Sequence, residues 1–292
     1  MKKIAKTNLI LMFLIVILTL YLLNSKLVVS NILEYTKLYL TKLFPTSFIT
    51  LTITSLLINY QITNKLTKIT KEPICLYIII ISILCGFPSG PKYIKDLYNK
   101  KYITEKASNY LLKIAHFPNP LFILNTVSII LNSTRLSIKI LVILLLSNLI
   151  PALFLYKKET SKNNITIPQK DFSSALNEAV NSSLKLQILI YGTNLFFYLI
   201  SAMITFYIKL PLIPHIIITN SFDLLKGTTL ISLITSKKIK CLLIIIFMSF
   251  GNLRIHIQIK SILEDAKLNY ISFLKGRILS TTIAIILFFI II

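Results

Sequence analysis

Apolar residues in this chain come in long runs separated by short Lys-rich polar tracts. The runs lie at 8–25, 43–62, 73–91, 114–134, 140–156, 186–208, 210–236, 241–253 and 278–292. The longer ones approach the roughly 20 residues of helix that a hydrocarbon core requires. The pattern predicts an all-α integral membrane protein, a polytopic helical bundle of about 7–9 membrane segments. Run 210–236 holds Pro211, Pro214, His215, Asp223 and Lys226, which predicts a kink or two short pieces.

Two of the runs share a further pattern. Cys75 to Cys85 and Cys241 to Phe250 each follow a Lys tract (Lys65, Lys68 and Lys71; Lys237, Lys238 and Lys240). Each then breaks, at Gly86 or at Gly251, and turns polar. Short apolar helices interrupted by Gly or Pro in corresponding positions of two halves point to a binding site in transporter folds. The longest polar stretch, 157–185 with Pro168, is the natural boundary between such halves. The expected organisation is a membrane anchor over 1–29, a first half over 30–156, a polar linker over 157–185 and a second half over 186–292. The run 8–25 follows Lys2, Lys3 and Lys6 but lacks a small-x-small cleavage site, so it reads as a retained anchor.

Lys placement suggests an orientation. If 73–91 and 241–253 dip in and return, the tracts 1–7, 63–72, 92–113, 157–185, 237–240 and 254–277 share the cytoplasmic side. That arrangement has seven full crossings, two re-entrant elements and an extracytoplasmic C-terminus; full crossings at both elements are the alternative. Residues 92–113 have partly helical apolar spacing. Thr104 can cap a short helix there, although Glu105 comes too early for a capping box. A helical hairpin along the cytoplasmic face is predicted, and 255–277 has the same character.

Composition supports the membrane reading. Hydrophobic residues make up 55% of the chain, mean hydropathy is +0.77, and charged residues are 14%, against roughly 25% in soluble domains. The net charge of +22 does not indicate nucleic acid, because only Arg135, Arg254 and Arg277 among the 32 basic residues are Arg. The lysines sit between apolar runs, where they suit an anionic bilayer surface. Cys75, Cys85 and Cys241 are odd in number and form no CxxC, so they read as small buried apolar residues. His116, His215 and His256 show no metal-ligand spacing. HExxH, GxSxG, P-loop and dinucleotide motifs are all missing, which argues against an enzyme and against a cofactor.

At the level of ordered motifs, the chain resembles a family. Gly86-Phe-Pro-Ser-Gly-Pro-Lys92, Asp96-Leu-Tyr98, Ile103-Thr-Glu-Lys-Ala107, Leu111-Leu112 and Pro120-Leu-Phe-Ile-Leu124 occur in the order seen in the YlbJ family of sporulation integral membrane proteins. Asp223-Leu-Leu-Lys-Gly227, Ser249-Phe-Gly-Asn-Leu-Arg-Ile-His256-Ile-Gln258 and Arg277 extend the resemblance through the second half. The chain departs from the family pattern at Ala115-His116-Phe117-Pro118-Asn119, at Pro91, at Asp223 and at Leu225. The resemblance implies two Gate-like (nucleoside-recognition) halves in a bacterial cell-membrane protein needed for endospore formation. It names no substrate.

Candidate chemistry gathers at the breaks. Gly86, Pro88, Ser89 and Gly90 form a turn whose unpaired backbone groups can contact a solute, or a plain turn between helices. Gly251 and Asn252 carry the same two readings. Asp223 is an acid inside an apolar run; it reads as a cation or proton-coupling site, or as a structural pair with Lys226 three residues on. Asn119, Gly227, Ser249, His256 and Gln258 complete the candidate solute-binding set, while Asn119, Asn194 and Asn220 are candidates for interhelical bonds. Three functions compete: a channel or transporter for a small solute such as a nucleoside or ion, a non-transporting scaffold of the sporulation membranes, and an intramembrane enzyme. The expected partners are the lipid bilayer, a small solute, and a second copy or other sporulation membrane proteins; nucleic acid is not among them.

Overall fold

The computed structural model describes residues 2–60, 73–155 and 171–292. The tract with Lys65, Lys68 and Lys71, and residues 157–170 of the stretch 157–185, lie outside the described residues. Every regular element among the described residues is a helix. In chain order these are α1 (Lys2–Leu23), α2 (Ser25–Leu38), α3 (Phe44–Asn59), α4 (Pro73–Cys85), α5 (Ser89–Asn99), α6 (Glu105–Ile114), α7 (Pro120–Leu131), α8 (Thr134–Leu155), α9 (Phe172–Tyr207), α10 (Leu212–Phe222), α11 (Leu224–Ile231), α12 (Lys237–Phe250), α13 (Leu253–Glu264) and α14 (Tyr270–Ile291). Wider π turns join α2 to α3 at Tyr39–Leu43 and interrupt α7 at Ile123–Val127.

Among the described residues, four helical stretches are long and apolar enough to cross a membrane: Thr134–Ala152, Phe172–Tyr207, Lys237–Glu264 and Tyr270–Ile291. The bent pair Asn8–Leu23 and Ser25–Thr41 makes a fifth if it is one span. Apolar side chains stand exposed around α1 and along α14, among them Leu9, Met12, Leu22, Ile278 and Phe289. Apolar surface that water would penalise is the mark of lipid contact. The chain is thus a helical protein built for a membrane.

The remaining apolar runs form shorter helices, each for a visible reason. Gly86 at φ +72° ends α4, a backbone conformation that costs glycine nothing. The 13 residues of α4 reach about 20 Å, short of the roughly 30 Å hydrocarbon core. Prolines 118 and 120 delay α7 until Asn119 caps it, its Oδ1 accepting from Leu121 N at 2.8 Å. Run 210–236 does break in two, at Asp223, whose extended backbone separates α10 from α11. The second broken element differs from the first, because Gly251 (φ +86°) lies within the 28-residue stretch Lys237–Glu264. α9 starts well inside the stretch expected to be linker. Asp171 caps it, Oδ2 accepting from Ser174 N at 3.1 Å, and the Ser and Asn residues that follow are helical.

Residues 92–113 form the expected helical hairpin, with Thr104 capping α6 by accepting from Ala107 N at 3.2 Å. One side of the hairpin is packed into the protein, and Asn99, Lys100, Lys101, Glu105 and Lys106 are exposed. Tyr93, Ile94, Leu97, Ala107, Leu111 and Leu112 are all fully buried. Its helices are core elements: α5 packs on α13 and α6 packs on α14, so the helices that follow the two breaks pair with each other. Lys92, also buried, donates to Ser182 Oγ at 2.6 Å and lies 3.5 Å from Asp96. Replacing Thr104 with Ala is expected to cost about 1 kcal/mol, and Ser close to nothing. Unfolding midpoints of the detergent-purified variants check this; equal midpoints for Ala and Ser would exclude the cap.

Candidate functional site

A cavity of about 420 Å³ opens where the first break meets the start of α11 and α13. Tyr35, Tyr39, Ser47, Cys85, Phe87, Pro88, Asn119, Phe122, Asn125, Asn194, Leu224, Arg254 and Gln258 are among its lining residues. Its volume falls within the range of small-molecule sites, roughly 300–1,000 Å³. Of the sequence candidates, Pro88, Asn119 and Gln258 face it directly. Gln258 is held by two bonds to α9, donating to Thr193 Oγ1 and to Asn194 Oδ1, the latter at 3.1 Å. Asn194 therefore does bond between helices. Asn220 instead donates to Ile216 O of its own helix at 3.1 Å.

Asp223 sits behind the wall of this cavity. It is 1% exposed and caps α11, Oδ1 accepting from Lys226 N at 2.7 Å. The expected side-chain pair with Lys226 does not form. As a cap, Asp223 is extended (φ −131°, ψ 113°), so helical i,i+3 geometry does not apply, and the Lys226 ammonium lies over the Tyr198 ring at 4.7 Å. The partner is Arg254, whose guanidinium lies 3.8 Å from Asp223 Oδ2.

The second break faces elsewhere. Gly251, Asn252 and His256 line a separate cavity of about 550 Å³ with Ser221, Phe250 and Tyr270. Asn252 caps α13, accepting from Ile255 N at 3.0 Å. His256 Nε2 lies 3.1 Å from Phe250 O, so it carries the proton; Nδ1 then accepts from Tyr270 O–H at 2.7 Å. The remaining candidates pack without solvent. Ser89 bonds to Gly86 O, and Gly90 lies against Ala115 O and Ser82 Oγ. Gly227 lies against Asn220, and Ser249 Oγ donates to Thr281 at 3.2 Å.

Between the two breaks lies a cluster that sequence reasoning missed. Arg277 is fully buried on α14, and no carboxylate among the described residues bonds to it. It donates to Lys113 O (3.0 Å), His116 O (3.3 Å), Ser249 O (3.2 Å) and Asn148 Oδ1 (2.7 Å). Lys113 and Ser249 are in the last turns of α6 and α12, where carbonyls lack helical partners and the helix dipole is negative. The cation thus joins two helix C-termini. His116, 1% exposed, stacks on Phe87 at 4.8 Å, and neither of its ring nitrogens has a hydrogen-bond partner among the described residues. A Cβ at Gly251 would stand 3.5 Å from His116 Nε2 and 3.8 Å from His256 Nε2, so two of the three histidines approach one point. Among the described residues, no group of three His, Cys, Asp or Glu could hold a metal ion.

Comparisons with protein-family models, curated proteins and solved structures find no match for this chain. Its function must therefore be read from its own residues. Chemically, the 420 Å³ cavity offers amides, hydroxyls, aromatic faces and one guanidinium. Among the described residues it offers no nucleophile–base pair, and its thiol, Cys85, lies 3.5 Å from Thr54 Oγ1.

Proposed function

We propose that this chain is a multi-pass protein of the bacterial cell membrane that binds a small solute and passes it through the bundle, in support of endospore formation. The observation that carries the reading is the cavity at the first break, where Pro88, Asn119, Gln258 and the partner of Asp223 come together. Its aromatic walls and inward-facing amides have the composition of a solute site rather than of a plain core. The ordered motifs from Gly86 to Arg277 support a place in the YlbJ family, with two Gate-like halves and seven to nine membrane segments. No catalytic role is proposed.

A scaffold that transports nothing is the second reading. The dry packing of Gly90, Gly227 and Ser249 favours it, since those candidates serve helix contact. The surface it would have used is reduced, because much of 92–113 and of 254–277 is buried.

Asn125 lines the cavity and its side chain is exposed, so Asn125→Trp plugs the space without breaking a buried contact. The test is deletion in the native host, scored for heat-resistant spores, with complementation at matched membrane levels. The wild-type gene is expected to restore spores and Asn125→Trp to fail. Full rescue by the plugged variant would favour the scaffold, and an unaffected deletion strain would remove the sporulation role.

A further inference from the structure

The two buried arginines of this protein are used in opposite ways. Arg277 bonds four protein oxygens through Nη1 and Nη2, its own Nε being unpartnered among the described residues. Arg254 is 8% exposed, its guanidinium makes no hydrogen bond to any described residue, and its Nε is buried without a partner. A guanidinium carries five N–H donors. The nearest carboxylate oxygen, Asp223 Oδ2, is 3.8 Å away, beyond hydrogen-bond length. A buried cation left so bare is costly unless something else supplies acceptors. Arg254 lines the 420 Å³ cavity.

We propose that the cavity is an anion site, taking a small organic solute whose carboxylate or phosphate group docks on Arg254. This rests on the solute-binding reading above and fixes the sign of the solute's charge. A second observation agrees. Three helices begin at the cavity wall: α5 with cap Pro88, α11 with Leu224 and Leu225 in its first turn, and α13, in whose first turn Arg254 sits. The N-termini of α5 and α13 each carry a partial positive charge, whereas at α11 the cap carboxylate of Asp223 offsets it.

Asp223 does not reverse this sign. Its Oδ1 is occupied by Lys226 N, and Asp223 is not part of the cavity lining. A solute in the cavity meets the guanidinium, with the carboxylate behind it as an orienting group. The cation or proton site expected at Asp223 from sequence therefore becomes an anion site built around its partner. Tyr35, Phe87 and Phe122 give the rest of the solute an aromatic bed.

The test is direct binding of radiolabelled benzoate to the purified full-length protein in phosphatidylcholine nanodiscs. Saturable binding is expected, competed by phenyl phosphate but not by benzamide or benzylamine. Arg254→Gln, checked for folding by gel filtration, is expected to weaken binding by about tenfold or more, the scale of hydrogen bonds to a charged group. Asp223→Asn is expected to keep or tighten it, whereas a cation site would lose its ligand. Equal competition by benzamide, or unchanged binding to Arg254→Gln, overturns the anion assignment while leaving a solute site. Competition by benzylamine alone reverses the sign and overturns it too. If benzoate fails and radiolabelled uridine binds, the anion site falls and the solute reading stands; if neither binds, both fall. Displacement of benzoate by phosphatidylglycerol added to the nanodiscs would assign the site to a lipid headgroup and overturn the soluble solute. Should Arg254→Gln not fold, the competition series on the wild-type protein decides.

Discussion

Arg277→Met is expected to destabilise the fold strongly. The substitution conserves length and apolar packing but withdraws the donors that Lys113 O, His116 O, Ser249 O and Asn148 Oδ1 accept from. Each buried acceptor left bare costs about 1–3 kcal/mol. Relaxation recovers part of this, so a net loss on the order of 3–5 kcal/mol is expected, comparable to breaking a buried ion pair. That is a large share of the 5–15 kcal/mol that holds a typical protein together. Arg277→Lys keeps the charge but cannot reach four oxygens with a single ammonium, so it should fall between wild type and Met. Gel filtration of detergent-solubilised fluorescent fusions, after a series of heating steps, reads this order. A Met variant as heat-resistant as wild type would mean that the carbonyls find other donors and that the cation is dispensable.

The second large effect is expected one residue earlier. A Cβ added at Gly276 would stand 2.2 Å from Lys113 O, 2.4 Å from its Cα and 2.6 Å from its carbonyl carbon. These are backbone atoms, so no rotamer change relieves the clash, and α14 must move off the end of α6. Gly276→Ala should therefore cost at least the ~1–3 kcal/mol usual for overpacking, and it would pull Arg277 out of register as well. Gly192, within α9, has nothing within 4 Å of the same added atom. Gly192→Ala gains helix propensity and should stabilise by up to about 1 kcal/mol. The same heating series compares the two. Opposite signs are expected, and equal midpoints would show that α14 and α6 do not approach as closely as described.

The parts of this architecture that are visible in the sequence are those written in local chemistry. Gly86 and Gly251 stand where apolar runs turn polar, and both proved to be positive-φ breaks. Asp223 among prolines marked a divided segment, and Asn119, Pro88 and Gln258 were recognisable as polar or rigid groups in apolar surroundings. Helix extents were less visible. Ser and Asn around 172–185 have the composition of a linker, yet packing on α3 and a cap at Asp171 make them helix. What sequence could not supply was the tertiary pairing. Arg277 answers to main-chain carbonyls, which every residue type carries, so no acidic residue advertises its place. Arg254 was hidden differently: its importance lies in bonds it does not make, and an unmet donor leaves no trace in residue order. The expected i,i+3 partner for Asp223 failed because a cap is not part of a helix.

The corner at Asn24 carries a consequence for the rest of the chain. α1 and α2 meet at 95°, so they cannot both stand along the membrane normal. α1 carries no charge among its described side chains, whereas α2 carries Lys26, Glu34 and Lys37. The hydrocarbon core suits the first and the headgroup layer suits the second. One corner thus decides whether the N-terminal pair counts as one crossing or none, and every later segment changes sides with that parity.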